Sequence, residues 1–197
     1  MTNNHVQQSD LSDEDYEDIY YSLVFDTIRN INYSEIRYSF YRRINTITIF
    51  INIAFGSAVI SNSINNIPYL QFGLSVFFVF MQALNISYNT QYMANLYNRK
   101  TEKFYNILHK IEDYKIERRD MRSIRPQLLD LYADDPVKYY CADAMAWNFA
   151  YLATTRHEEI DYNKLYRIRF YEKLTMNLLP YSHEFFRKRK KSILNYT

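Results

Sequence analysis

The side chains that most often perform catalysis are sparse in this chain. His157, Glu158 and Glu159 are adjacent, but the zinc-protease motif needs a second histidine four positions after the first, and it is absent. Glycine occurs only at positions 56 and 73, which leaves no glycine-rich phosphate loop and no Gly-x-Ser-x-Gly nucleophile motif. We therefore predict that the protein is not an enzyme and holds no metal or cofactor.

The remaining reactive candidates have simpler interpretations. Cys141 is the single cysteine, so no intrachain disulfide or cysteine-rich metal site can form. It lies in an apolar stretch, which predicts a small buried residue. Asp134 and Asp135 precede Pro136, a pattern typical of a turn followed by a helix start.

A clearer pattern comes from polar side chains inside the segment 44–98, which contains no Asp, Glu, Lys, Arg or His. At helical spacing these polar residues form two stripes, one on each apolar run. The first stripe includes Asn45, Thr48, Asn52, Gly56 and Ser63, and the second includes Gln71, Ser75, Gln82, Asn85 and Asn89. We define the amide stripe as the six residues predicted to pack helices or line a pore: Asn52, Gly56, Gln71, Ser75, Gln82 and Asn85.

An amide in hydrocarbon is costly unless it is paired, so the amide stripe should face another helix or water rather than lipid. Three arrangements satisfy it: pairing within one hairpin, pairing between protomers, and lining of an aqueous pore after oligomerisation. In a fourth interpretation the two helices do not lie in a membrane, and the amide stripe is the solvent-exposed face of a soluble helix pair.

The two apolar runs themselves, at about 44–62 and 68–87, approach the roughly 20 residues that a helix needs to cross a bilayer. Turn-forming residues separate them, which makes the two helices antiparallel neighbours. The absence of charge over 44–98 favours membrane insertion over a soluble helix pair, which normally exposes charged side chains. The polar amides make both runs weak membrane spans.

Cations flank this hairpin on both sides, and the turn between the runs carries no charge. The positive-inside rule then places both termini in the cytoplasm, at the cell inner membrane. The predicted membrane-flanking cations are Arg37, Arg42, Arg43, Arg99 and Lys100.

The flanking segments are predicted to be helical. Residues 1–15 read as a disordered acidic leader, and a helix follows from residue 16 to the hairpin, with an interruption near Asn30–Asn32. A long cytoplasmic helix runs from Tyr88 to Arg125, and it completes a region 16–125. A helical lobe at 126–197 begins after a break at Pro126. Two lobe helices are expected at 137–155, with Ala142, Met145, Phe149 and Leu152 on one face, and at 162–179. The fold class is thus all-α.

The charge balance of the chain bears on nucleic-acid binding. The formal net charge is only +2, so we predict no specific nucleic-acid partner. The dense basic run has two interpretations, a solvated helix end or a contact to anionic lipid headgroups, and it consists of Arg187, Lys188, Arg189, Lys190 and Lys191.

An Arg-rich helix end (Arg37-Tyr38-Ser39-Phe40-Tyr41-Arg42-Arg43), two spans with a short turn, and a long helix from Tyr88 to Arg99 onward resemble the SLATT group of bacterial two-transmembrane effector domains. The resemblance covers about residues 16–125 and rests on architecture. It implies a homo-oligomeric, pore-forming effector of antiviral defence that permeabilises the membrane, with the lipid bilayer and a cytoplasmic sensor or trigger as partners. The alternative is a non-catalytic helical interaction or structural protein, such as an adaptor or a viral component, with the uncharged pair buried in an assembly.

Overall fold

The protein is all-helical in the part of the chain that this computed structural model describes, namely residues 12–56, 68–117, 119, 121–133, 135 and 137–182. The α-helices are α1 (Asp13–Gly56), α2 (Pro68–Tyr88), α3 (Thr90–Ile116), α4 (Ile124–Ala133), α5 (Tyr140–Thr154) and α6 (Phe170–Thr175). Short 3₁₀ turns occupy Met121–Ser123, His157–Glu159 and Tyr162–Lys164. Among these described residues, no helix combines the length and the apolarity needed to cross a membrane.

α1 is one continuous helix of 44 residues, so the predicted interruption near Asn30–Asn32 is wrong. The amide groups of Asn30 and Asn32 donate hydrogen bonds to the backbone oxygens of Asp26 and Ile28, both at 2.8 Å. The side chains thus bond within the helix instead of interrupting it. At the start of α1, Ser12 Oγ accepts the backbone N–H of Asp15 at 3.1 Å and caps the helix.

The long helix predicted for Tyr88–Arg125 is shorter in the structure. Asn89 has a φ of 41°, a left-handed conformation that asparagine tolerates, and it separates α2 from α3. α3 then ends at Ile116. Pro126, predicted to mark a break, lies instead in the first turn of α4, where its missing N–H costs no helical hydrogen bond.

The chain divides into two compact units. The hairpin unit is Glu35–Arg99, and the lobe comprises the residues up to Ser34 and from Lys100 onward. The core of the lobe lies between the first part of α1, the greater part of α3, and α4; it contains Leu23, Ile31, Phe104, Ile107, Ile111, Met121, Ile124 and Leu128. Tyr16 Oη donates to the backbone oxygen of Tyr114 at 2.9 Å within this unit.

The second part of the lobe is built on α5, whose buried face differs from the predicted one. Of the predicted face, Ala142 is buried and Met145 is half-buried, but Phe149 and Leu152 are exposed. The other buried small residues of α5 are Cys141, Ala144, Ala146 and Ala150. Small side chains on a buried face permit close approach of a helix to its neighbours. The helix predicted at 162–179 is reduced to a 3₁₀ turn and the six-residue α6.

Candidate functional site

Two residues of the amide stripe are joined in the hairpin unit. Gln82 Nε2, on α2, donates a hydrogen bond to Asn52 Oδ1, on α1. Asn52 is exposed and Gln82 is half-buried. Pairing within one hairpin, the first of the arrangements predicted from the sequence, is therefore the one in which the structure places these two amides.

Asn85 has a different partner. Thr90 Oγ1, in the first turn of α3, donates to Asn85 Oδ1, and the Thr90 side chain is buried. This hydrogen bond spans the left-handed residue Asn89 and supports the junction of α2 with α3. The Asn85 amide is thus part of a local turn rather than of the contact between α1 and α2.

The remaining stripe residues are Ser75, Gly56 and Gln71. Ser75 is exposed on α2. Gly56 is the last residue of α1 and Gln71 lies in the first turns of α2, but the described structure extends only to their backbone. The residues 57–67, which include the predicted turn and Ser63, lie outside the described residues.

The hairpin unit exposes a large apolar surface. On α1 the exposed side chains include Phe50 at 73% and Ile53 at 69%, and on α2 they include Phe72 at 72% and Val79 at 65%. Further exposed apolar residues are Ile47, Ile49, Tyr69, Val76, Phe77, Phe80 and Ile86. Exposed apolar surface of this extent is typical of sites that bind a protein or lipid partner.

A buried arginine holds the charged end of the hairpin unit. Arg37 is 0% exposed, and its guanidinium lies 4.8 Å from the ring centre of Tyr41 and 5.6 Å from that of Tyr97. The two tyrosine rings stack at 5.9 Å, and Arg37 also donates a hydrogen bond to Tyr41 Oη. Cation–π contacts in a desolvated setting are worth about 2 kcal/mol or more. This cluster ties α1 to α3, and its only local sequence signal was Tyr41, four positions after Arg37.

The five predicted flanking cations consequently divide into two groups. Arg42, Arg43 and Arg99 are exposed. Arg37 is buried among aromatic rings, and Lys100 is buried in the lobe, where its Nζ contacts Asp135 Oδ1 at 2.6 Å. Arg37 and Lys100 therefore serve structural contacts. The basic run from Arg187 to Lys191 lies outside the described residues.

The lobe contains a cluster of charged residues that sequence reasoning missed. Asp143 Oδ2 lies 2.6 Å from Arg29 Nη2 and 3.0 Å from Lys138 Nζ, and Arg29 Nε also donates to Asp143 Oδ1 at 2.9 Å. A cavity of about 70 Å³ adjoins the cluster and is lined by Tyr33, Tyr132, Asp135, Lys138 and Asp143. Lys138 and Asp143 lie more than 100 residues after Arg29 in the sequence. No local spacing therefore reveals that the three residues meet.

The charges of this cluster raise the affinity of its cations for protons. Burial by itself lowers the pKa of Lys138, but the charge of Asp143 and the hydrogen bond to Tyr132 outweigh burial and hold the pKa above its ordinary 10.5. Burial likewise acts to lower the pKa of Arg29, and the hydrogen bond and charge of Asp143 raise it above its usual value. Both cations are accordingly fixed in their charged form, which is the state of a structural ion-pair network.

The single cysteine lies in the interior of the lobe. Cys141 is 0% exposed, as predicted, and its Sγ contacts the backbone oxygen of Glu172 at 3.5 Å. No three or more His, Cys, Asp or Glu side chains cluster as a metal site within the part of the chain that is described. Comparison with known proteins adds no assignment, since no family model, no curated protein and no solved structure matches the chain.

Proposed function

We propose that this chain is an oligomerising membrane protein in which α2 and the end of α1 form a two-span hairpin, and that assembled hairpins permeabilise the membrane. The observation that carries the proposal is the apolar surface of the hairpin unit, with Phe50, Ile53, Phe72 and Val79 exposed in a segment that contains no charged residue. Burial of such surface is favourable at about 25 cal/mol per Å². Lipid and neighbouring hairpins would supply that burial.

The Asn52–Gln82 hydrogen bond supports insertion of helices that are only moderately apolar. A hydropathy value counts each amide side chain as unpaired. An amide that is hydrogen-bonded to another amide enters hydrocarbon at a lower free-energy cost. In this hydrogen bond Asn52 contributes only its Oδ1 atom. The N–H groups of the exposed Asn52 amide can therefore donate to a second copy of the hairpin or to water. Assembly of hairpins through these amides agrees with the resemblance to the SLATT group.

The cellular setting of the proposal follows from the same resemblance. The exposed cations Arg42, Arg43 and Arg99 would lie on the cytoplasmic side of an inner membrane. The lobe would then act as the module that receives a signal from a sensor or trigger protein in antiviral defence. This function needs no catalytic residue and no cofactor.

Membrane fractionation tests the insertion step. We expect the protein to stay in the membrane pellet after alkaline carbonate and after high salt, and to leave it in detergent. Release by carbonate or by salt would contradict insertion.

Leakage of a vesicle-entrapped dye tests the permeabilising step. The variant Asn52→Leu with Gln82→Leu should insert normally, because it removes both partners of the amide pair and strands neither, and it should cause no leak, because the polar groups that would contact water are gone. Gln91→Leu with Asn95→Leu is the matched control, since it removes two exposed amides from α3, and it should leak like the parent. Undiminished leakage by the first variant would contradict the pore.

A second candidate is a non-catalytic helical interaction protein whose uncharged pair is buried in a protein assembly. Apolar side chains outside the uncharged segment favour it. Phe170 and Leu174 are 83% and 71% exposed, and the basic residues Arg169 and Lys173 accompany them. This mixed surface suits a protein partner. Release from membranes without detergent, together with recovery in a large soluble complex, would select this candidate.

A further inference from the structure

A groove of about 390 Å³ runs along α1 at the border of the uncharged segment. Its lining residues fall on adjacent rows of one helix face and are Tyr38, Ser39, Arg42, Arg43, Thr46 and Ile47. The volume lies in the range of small-ligand pockets, which is about 300–1,000 Å³. The groove therefore has room for one small headgroup.

The charge of the groove is one-sided. Arg42 and Arg43 are both exposed, and the hairpin unit contains four arginines but only one acidic residue, Glu35. Arg42 is held in place by Tyr38, since its Nη1 donates to Tyr38 Oη at 3.2 Å and its guanidinium lies 5.7 Å from the ring centre. A guanidinium has five N–H donors, so this contact leaves the others for an anion.

The other end of the groove is apolar. Ile47 is 48% exposed, and the exposed Phe50 follows within one helical turn. Thr46 adds a hydroxyl group between the cations and this apolar end, and Ser39 adds one on the other side of the cations. A ligand that fits has an anionic head joined directly to an apolar chain.

We propose that this groove binds the headgroup of an anionic phospholipid, with the phosphate at Arg42 and Arg43 and the acyl chain along Ile47 and Phe50. The assignment rests on the proposed membrane insertion. It adds to that function a preference for one class of lipid. Each cation near a membrane surface contributes about fivefold in affinity, so the two arginines predict a preference of about 25-fold for phosphatidylglycerol over phosphatidylcholine at this position.

Lipid-selective fluorescence quenching tests the assignment. The full chain with Phe50→Trp is reconstituted into phosphatidylcholine vesicles that contain a small fraction of brominated phosphatidylglycerol or of brominated phosphatidylcholine. The signal of the parent, which has only Trp147, is subtracted. We expect much stronger quenching by brominated phosphatidylglycerol, a loss of about fivefold in preference for Arg43→Gln, and near equality of the two lipids for Arg42→Gln with Arg43→Gln.

Arg99→Gln is the matched control, because it removes an equal charge from a third exposed arginine of the same unit. It should change the preference by less than twofold. If Arg99→Gln and Arg43→Gln reduced the preference equally, diffuse surface charge rather than the groove would explain the preference, and the assignment would be overturned. Equal quenching by both lipids in the Phe50→Trp chain with both arginines intact would also overturn the assignment while leaving insertion intact, whereas quenching by neither lipid would overturn insertion as well.

Discussion

Replacement of Asp143 by asparagine should destabilise the lobe, because Asp143 neutralises two cations at once. Removing one partner from a fully buried ion pair costs about 3–5 kcal/mol. The side chains of Arg29 and Lys138 keep 26% and 29% of their surface exposed, so water screens part of the loss. We therefore expect Asp143→Asn to lower the free energy of unfolding by about 2–3 kcal/mol.

The single tryptophan makes this effect measurable in the lobe alone. Trp147 lies on α5, stacks on Tyr151 at 5.3 Å, and contacts the rings of Phe25 and Tyr166 edge-on. Its fluorescence therefore reports the unfolding of the unit that contains Asp143. In thermal unfolding of the purified full chain in mild detergent, the expected decrease in Tm is about 5–10 °C.

Asp130→Asn is the control for this experiment, because Asp130 is an exposed acid on α4 of the same lobe. A surface substitution of this kind changes stability by about 0.5 kcal/mol or less. If Asp143→Asn unfolded within about 2 °C of the parent, the interpretation of the cluster as a stabilising ion-pair network would be refuted.

Three further predictions concern other contacts. In a double-mutant cycle of Tm values, Asn52→Leu and Gln82→Leu should be non-additive, with a coupling on the order of 0.6 kcal/mol, because each single change strands the other amide; additive effects would argue against the pair. The pKa of Lys138 is raised on folding, so the stabilisation by its ion pair is present below pH 10.5 and is lost as the pH rises above that value. Lys138→Arg should lose less stability above pH 10.5 than the parent does. Identical curves of stability against pH for the two proteins would refute the contact. Cys141 should react with a thiol reagent only as fast as the lobe unfolds, since it is 0% exposed, and rapid labelling of the native protein would contradict its burial.

Periodicity predicted the helices and part of the core. Tyr97, Phe104 and Ile111, which are spaced by seven residues along α3, are buried. The same reasoning misplaced the face of α5, because it followed the large residues Phe149 and Leu152, whereas packing there selects small side chains that permit close approach. Helix ends were also misjudged at Asn89 and Pro126, where local backbone chemistry rather than apolar spacing decides.

The contacts that carry charge were mostly beyond sequence reasoning. Arg37 and Lys100 stand beside the uncharged segment and were interpreted as flanking cations, yet both are buried. Their partners, Tyr97 and Asp135, are brought near only by the tertiary fold. The amide stripe, in contrast, had a readable spacing, although its periodicity alone left open which of the six residues pair.

The central claim, that the exposed apolar face of α2 contacts lipid, is tested most directly by a reporter on that face. Val79→Cys, in a Cys141→Ala background, is labelled with an environment-sensitive fluorophore in the full chain and reconstituted into vesicles; Asp130→Cys in the same background is the control. We predict that at position 79 the emission shifts to the blue and that nitroxide on lipid acyl chains quenches it, while aqueous iodide does not. Quenching by iodide and not by acyl-chain nitroxide at position 79 would contradict the claim.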